Sequence, residues 1–142
     1  MMLSYSRMAL AALGGFVTYF VIGGLSFALL PLAKEFARYP AVYRSKEGIQ
    51  STMPAGMAAM FVSILALAAL YALQYRTGSG AWEGARFGAL IGVFAAGAFV
   101  VHNYVNLNIG VKLTLQQGVM YFLEWVAPGV VIGLIYRPAA GS

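Results

Sequence analysis

The chain has no cysteine, which excludes disulfides, thiol redox chemistry, iron–sulfur ligation and cysteine-based zinc sites. It has no aspartate and one histidine. A multi-ligand metal site within one chain is therefore not expected. Nor can a Ser–His–acid set be assembled when one histidine must serve everything. There is no glycine-rich phosphate loop and no zinc-protease helix motif. Charge is scarce as well. Only 9% of the 142 residues are charged, against about 25% in a soluble domain. The formal charge of +5 is spread over ends and loops and forms no run. Anchoring at lipid headgroups is the expected use of it, and nucleic acid is not an expected partner.

What the chain has instead is apolar length. Hydrophobic residues make up 61% of it and the mean hydropathy is +0.79. The stretches Met8–Ala33, Gly48–Tyr75, Phe87–Val111 and Leu113–Tyr136 carry no charge apart from Glu124. Each is long enough for a membrane helix, which needs about 20 residues. The fold class expected is all-α: an integral membrane four-helix bundle with short loops, filling residues 1–142 as one domain. Helices are placed at about Met8–Leu32, Pro54–Tyr75, Trp82–Asn106 and Leu115–Tyr136. Four spans put both termini on one side. The first apolar run exceeds the 7–15 residues usual for a signal-peptide core, so it reads as a retained helix.

Local signals refine these spans. Pro54 reads as a first-turn proline, where the missing N–H costs little. Thr114 and Gln117 fit a capping box at the start of the last helix. The short loop Arg76-Thr77-Gly78-Ser79-Gly80 predicts that the second and third helices are antiparallel neighbours. Between Ala33 and Met53, Leu32, Phe36, Tyr39 and Tyr43 fall at helical spacing, with Lys34, Glu35 and Arg38 on other faces. That segment reads either as an interfacial helix, broken at Pro40, or as an ordered loop with aromatic anchors. Tyr5, Tyr75, Trp82 and Tyr136 mark one membrane face, and Tyr39, Tyr43 and Tyr104 the other. Basic residues are nearly balanced between the faces. The longer loop is better tolerated outside, which puts the termini in the cytoplasm of a bacterial inner membrane.

Lipid is as apolar as Leu, so spans associate through close backbone approach. Gly84, Gly88, Gly92 and Ala96 lie at four-residue spacing on the third helix and form a flat stripe. Gly129 and Gly133 offer a second stripe on the fourth. Weaker ones are Ala11, Gly15, Thr18 and Ser26 on the first, and Ala55, Ala59 and Ser63 on the second. A compact bundle accounts for them. A homodimer built on a left-over stripe is the sharper alternative.

Glu124 is the one acid inside a span. It lies roughly 14 Å from the start of the last helix at 1.5 Å per residue, near the midplane, where an ionisable group is costly and usually faces protein or water. Gln117, Tyr121 and Glu124 share one helix face, and Pro128 frees the Glu124 carbonyl from its helical donor. His102, Asn103 and Asn106 end the third helix on the side where the fourth begins. The candidate polar site is therefore Glu124, Tyr121, Gln117, His102, Asn103 and Asn106, with Tyr19 and Thr18 as further partners. No catalytic residue, metal ligand or cofactor is assigned.

From Gly84 to Pro138 the chain resembles small four-helix bacterial integral membrane proteins grouped as families of unknown function. The shared look is a Gly-rich third helix, an Asn-containing connection over Asn103–Asn108, and a last helix with Gly133 before Arg137-Pro138. The resemblance implies the four-helix fold and supplies no catalytic residues. Three functions follow in order of expectation. The first is a non-enzymatic accessory or structural bundle that self-associates or joins a larger membrane complex. The second is a proton- or cation-coupled transporter of a small solute using Glu124. The third is a cofactor carrier around His102.

Overall fold

Pro31 ends the first long helix. It forces the residue before it out of the helical region, and Leu30 is extended at φ −89° and ψ 131°. The computed structural model describes residues 4–74 and 80–136. Among these residues every regular element is helical: α1 (Tyr5–Leu29), α2 (Leu32–Phe36), α3 (Lys46–Gln74), α4 (Ala81–Asn106) and α5 (Val111–Ile135). The four long ones are each long and apolar enough to cross a membrane. Their outward faces are apolar, as at Val17, Leu25, Val62, Leu90 and Leu123. Tyr75, the loop residues 76–79 and Arg137 lie outside the described residues.

Two helix starts differ from expectation. α3 begins at Lys46, so Pro54 lies two turns inside it. The start signal is Ser45, whose hydroxyl accepts the Gly48 N–H at 3.2 Å. α5 begins at Val111, so Thr114 is already inside the helix, and the capping box does not form. Thr114 donates back to the Gly110 carbonyl at 3.1 Å. Gln117 instead donates to the Tyr43 hydroxyl at 3.3 Å. Pro54 removes the helical donor of the Gln50 carbonyl; the nearby Ser51 and Thr52 hydroxyls both donate to the Gly48 carbonyl at 2.9 Å.

α5 is the centre of the bundle. It packs along α4 on one side and α1 on the other, and α3 packs along α1 with a smaller contact to α5. The second and third long helices are therefore not packed neighbours, contrary to the expectation from their short loop. They approach at one end, where the Tyr71 and Phe87 rings meet edge-on at 5.3 Å, and then diverge. Chain proximity loses here to side-chain size, because the smallest faces of α4 and α5 select each other.

The α4–α5 seam has almost no side chains in it. Gly84 and Gly88 of α4 are buried against Gly129 and Gly133 of α5, and Gly92 is buried against Phe122. A methyl group on Gly129 would stand 2.5 Å from the Gly84 carbonyl oxygen and 2.7 Å from the Gly88 Cα. One on Gly133 would stand 2.5 Å from the Gly80 carbonyl oxygen. Only glycine permits that approach, and close backbone contact is what holds apolar helices together. Ala96 is half-buried and opens a π-helical stretch, Ala96–Val101, inside α4. On the other side of α5, Ala11, Ala12 and Gly15 let α1 close on Ile64 and Ile132.

The far end of the bundle is closed by residues 30–43. Here α2 is one short helix followed by turns, a mixture of the two expected forms. Leu32 is fully buried with Ile109 and Leu113, and Phe36, Tyr39, Val42 and Tyr43 pack on that cluster. Phe36 stacks on Phe27 at 5.6 Å and meets Tyr43 edge-on at 4.6 Å. Tyr39 accepts the Gly110 N–H at 3.0 Å. These tyrosines thus face inward onto α5, while Tyr104 is exposed.

Candidate polar site on the last helix

Glu124 sits halfway along α5, on the face toward α1, and is 5% exposed. Its position follows from the seam: Trp125 and Val126 backbone atoms lie against Gly88, so the preceding residue turns toward α1. Tyr19 of α1 hydrogen-bonds the carboxyl. Gly23, one turn further along α1, makes room for it. A methyl there would stand 2.5 Å from Oε1. The second oxygen, Oε2, is buried with no hydrogen-bond partner among the described residues. Pro128, also buried, lies one turn beyond.

Gln117 and Tyr121 extend the same face toward the 30–43 segment. Gln117 is 8% exposed; its amide nitrogen is used by Tyr43, and its Oε1 has no partner among the described residues. Tyr121 lies between Gln117 and Glu124, packed on the Leu32 cluster. A file of polar side chains thus runs from Tyr43 through Gln117 and Tyr121 to Glu124 and Tyr19. At the opposite end the file stops against an apolar cluster of Ala11, Ala12, Ile64 and Ile132.

His102, Asn103 and Asn106 do not join this file. All three are exposed at the end of α4, and the Asn106 amide donates to the His102 carbonyl at 2.8 Å. Thr18 is also turned to its own helix, donating to the Gly14 carbonyl at 2.8 Å. Gly92 lies against Phe122 and Gly88 against Trp125 and Val126, so Glu124 is level with the middle of the seam and His102 stands roughly 18 Å further along α4 at 1.5 Å per residue. No cluster of three His, Cys, Asp or Glu side chains forms among the described residues.

A groove opens where α3 and α4 diverge. Its volume is about 560 Å³, within the roughly 300–1,000 Å³ of small-molecule pockets. Met60, Leu67 and Leu70 of α3 form one wall, and Ile91, Phe94 and Phe99 of α4 the other. The floor is Tyr19, Tyr121 and Trp125, so the side chains that surround Glu124 are also the floor of the groove. The Tyr19 and Trp125 rings lie 5.3 Å apart, and the Trp125 indole N–H has no partner among the described residues. The π-helical stretch lies in the α4 wall, which carries Phe99. Such insertions are frequent at functional sites.

Sequence reasoning missed a second buried acid. Glu35, expected on a face other than that of Leu32, Phe36 and Tyr39, is 3% exposed. Lys112 hydrogen-bonds it, and Arg38 pairs with it at 3.3 Å. The Lys112 hydrogen bond, then the Arg38 charge, holds this carboxyl below its ordinary value despite the desolvation that opposes them. The signal was present: Leu32, Glu35, Phe36 and Tyr39 form a single i, i+3, i+4, i+7 face. Gly23 had no signal of its own, since its role depends on a partner helix.

No family model, curated protein or solved structure matches this chain.

Proposed function

We propose that this is a non-enzymatic membrane protein of four spans, with both termini cytoplasmic in a bacterial inner membrane, that binds and releases a proton or cation at Glu124 as a small coupled carrier. One observation carries the reading. Glu124 is buried halfway along its helix, yet one carboxyl oxygen has no partner among the described residues. A carboxyl kept for packing alone is expected to be saturated, because an unpaired buried polar atom costs about 1–3 kcal/mol. An exchangeable site needs an open position. The polar file from Tyr43 supplies an approach from one side, and the apolar cluster beyond Tyr19 supplies the barrier a carrier needs on the other.

The test is infrared titration of the folded protein in detergent, with Glu124→Gln as the reference. A protonated-carboxyl band that comes and goes reversibly with pH, and is missing in the variant, supports the carrier. A Glu124 locked in one state across the whole pH range of the folded protein overturns it. A second reading, an accessory bundle, is favoured by the exposed first half of α3. Residues 51–59 are all exposed, and Ala55, Ala59 and Ser63 leave a small-residue stripe there for a partner span or a second copy. Sizing in lipid nanodiscs at rising protein density separates a monomer from that assembly.

A further inference from the structure

The polar file along α5 begins at Tyr43, and the segment that carries Tyr43 is anchored on one side only. Residues 32–39 are fixed. Leu32 is fully buried, Lys112 bonds Glu35, and Tyr39 accepts the Gly110 N–H at 3.0 Å. Residues 40–45 are held differently. Pro40, Ala41, Arg44 and Ser45 are exposed, and Ser45 leads straight into the unpartnered half of α3. From Arg44 to Ala59 no residue is buried. The turn is therefore tied at its Tyr39 end and carries a free length of helix at the other.

The turn also carries its own hydrogen bonds. The Val42 and Tyr43 N–H groups both donate to the Tyr39 carbonyl, at 2.9 and 3.1 Å. Rotation about the Tyr39 Cα–C bond thus moves residues 40–45 as a unit and leaves the Tyr39 ring on Gly110. Little holds the unit shut. The Gln117 amide reaches the Tyr43 hydroxyl at 3.3 Å, longer than an ordinary N–H···O bond. The Tyr43 ring meets Phe36 edge-on, and Val42 rests on the Leu32 cluster. What lies behind Tyr43 favours opening. Gln117 Oε1 is buried with no partner among the described residues, and Glu124 lies roughly 10 Å deeper along the helix. Water admitted past Tyr43 supplies the hydrogen bond that Gln117 lacks when the turn is shut, and a buried bond left unmade is costly.

We propose that Tyr43 is a gate: its side chain closes the mouth of the polar file, and the 40–45 turn swings it aside, together with the first half of α3, to admit water to Gln117 and the residues behind it. The inference deepens the carrier reading and rests on Glu124 being the site that the file serves; the gate then decides when that site meets water on the side of the 30–43 segment.

The chain has no cysteine, so introduced thiols report alone. Movement is read in lipid nanodiscs from spin-label distances between Arg44→Cys and Leu115→Cys, with Lys34→Cys and Leu115→Cys as the reference pair. All three positions are exposed. The Arg44 pair gives a second, longer distance, and its share rises about fivefold in Tyr43→Phe, the worth of one neutral hydrogen bond. The Lys34 pair keeps one distance throughout. Access is read in the Gln117→Cys protein from its rate of modification by a charged methanethiosulfonate, which reaches the thiol through water and not through lipid. Tyr43→Ala raises that rate by about tenfold, since the ring and its contact with Phe36 are lost. If Tyr43→Ala does not fold, Tyr43→Leu serves the same readout. A single distance for the Arg44 pair in the parent and in Tyr43→Phe overturns the swing. A second distance in the Lys34 pair overturns the pivot at Tyr39, because the whole segment then moves. Equal modification rates with and without the Tyr43 ring overturn the gate, because water then reaches Gln117 another way. A gate that opens over a Glu124 that never titrates leaves this inference standing and removes the carrier. A titrating Glu124 behind a turn that stays shut does the reverse.

Discussion

The two halves of the last helix are held in opposite ways. From Trp125 to Gly133, α5 lies on α4 backbone to backbone, with glycine on both sides. From Lys112 to Met120 it is held by side chains of the 30–43 segment: Glu35 on Lys112, Tyr39 on the Gly110 N–H, Tyr43 on Gln117, and an apolar cluster around Leu32. The seam tolerates no added atom and contains nothing that titrates. The cap tolerates small changes of shape and depends on charge. Glu124 sits at the joint between them, fixed on its α4 side and loosely satisfied on its α1 side. An under-satisfied carboxyl beside a rigid platform is where chemistry without loss of fold is to be expected.

The largest effect should come from putting side chains into the seam. Gly88→Leu and Gly129→Leu both drive a side chain into backbone, which cannot move aside as a flexible side chain can. Ordinary overpacking costs about 1–3 kcal/mol, and these two should exceed that and prevent folding in detergent. If either melts within a few degrees of the parent, the seam is not what fixes α5, and the contrast with the cap collapses.

The cap should fail more gently and with a pH signature. Lys112→Met removes the main partner of Glu35 and should lower Tm at neutral pH. Glu35 has its folded-state value depressed below the ordinary 4.5. Its stabilisation is therefore complete above about 4.5 and disappears as pH falls through the depressed value. The Tm gap between parent and Lys112→Met should be constant near neutrality and narrow only under acid. A gap that stays the same at low pH would show that Lys112 acts through its hydrocarbon stem instead.

The contrast also explains what could and could not be read in the sequence. The four long helices were legible because uncharged runs of spanning length leave few alternatives. The glycine stripes were legible as stripes, but which of them meet was not, since that depends on the azimuth of each helix in the bundle. Height separates His102 from Glu124. α5 begins at Val111, four residues before the expected Leu115, and the seam sets Gly92 against Phe122, so His102 lies roughly 18 Å along the bundle from Glu124. Glu35 was misplaced because charge suggested solvent, although its spacing from Leu32 and Tyr39 pointed inward. The separation of α3 from α4 had no local signal. It arises because α5 and α1 offer each of them a better face.

At the joint, Glu124→Ala should cost about 1–3 kcal/mol, because it leaves the Tyr19 hydroxyl unpaired. Glu124→Gln should stay within about 1 kcal/mol of the parent, since it keeps a group for Tyr19 to bond. Thermal melts of the pair in one detergent measure the difference. If Gln is as damaging as Ala, the carboxyl is held by more than Tyr19, and its open oxygen is not the feature that distinguishes it from Glu35.

The smallest effect on stability should come from Gly23→Ala, and it is the sharpest probe of the joint. The added methyl meets Glu124 Oε1 at 2.5 Å. Unlike the seam, the obstacle here is the tip of a side chain, which can turn away by a rotamer change. The melting temperature should therefore move little, by well under the roughly 1–3 kcal/mol of ordinary overpacking. The carboxyl, however, should leave Tyr19, and its infrared titration should shift while the fold persists. A large loss of stability from this one methyl would mean that α1 and α5 are as tightly locked as α4 and α5. The joint would then belong to the rigid platform, and Glu124 would have no freedom to exchange a partner.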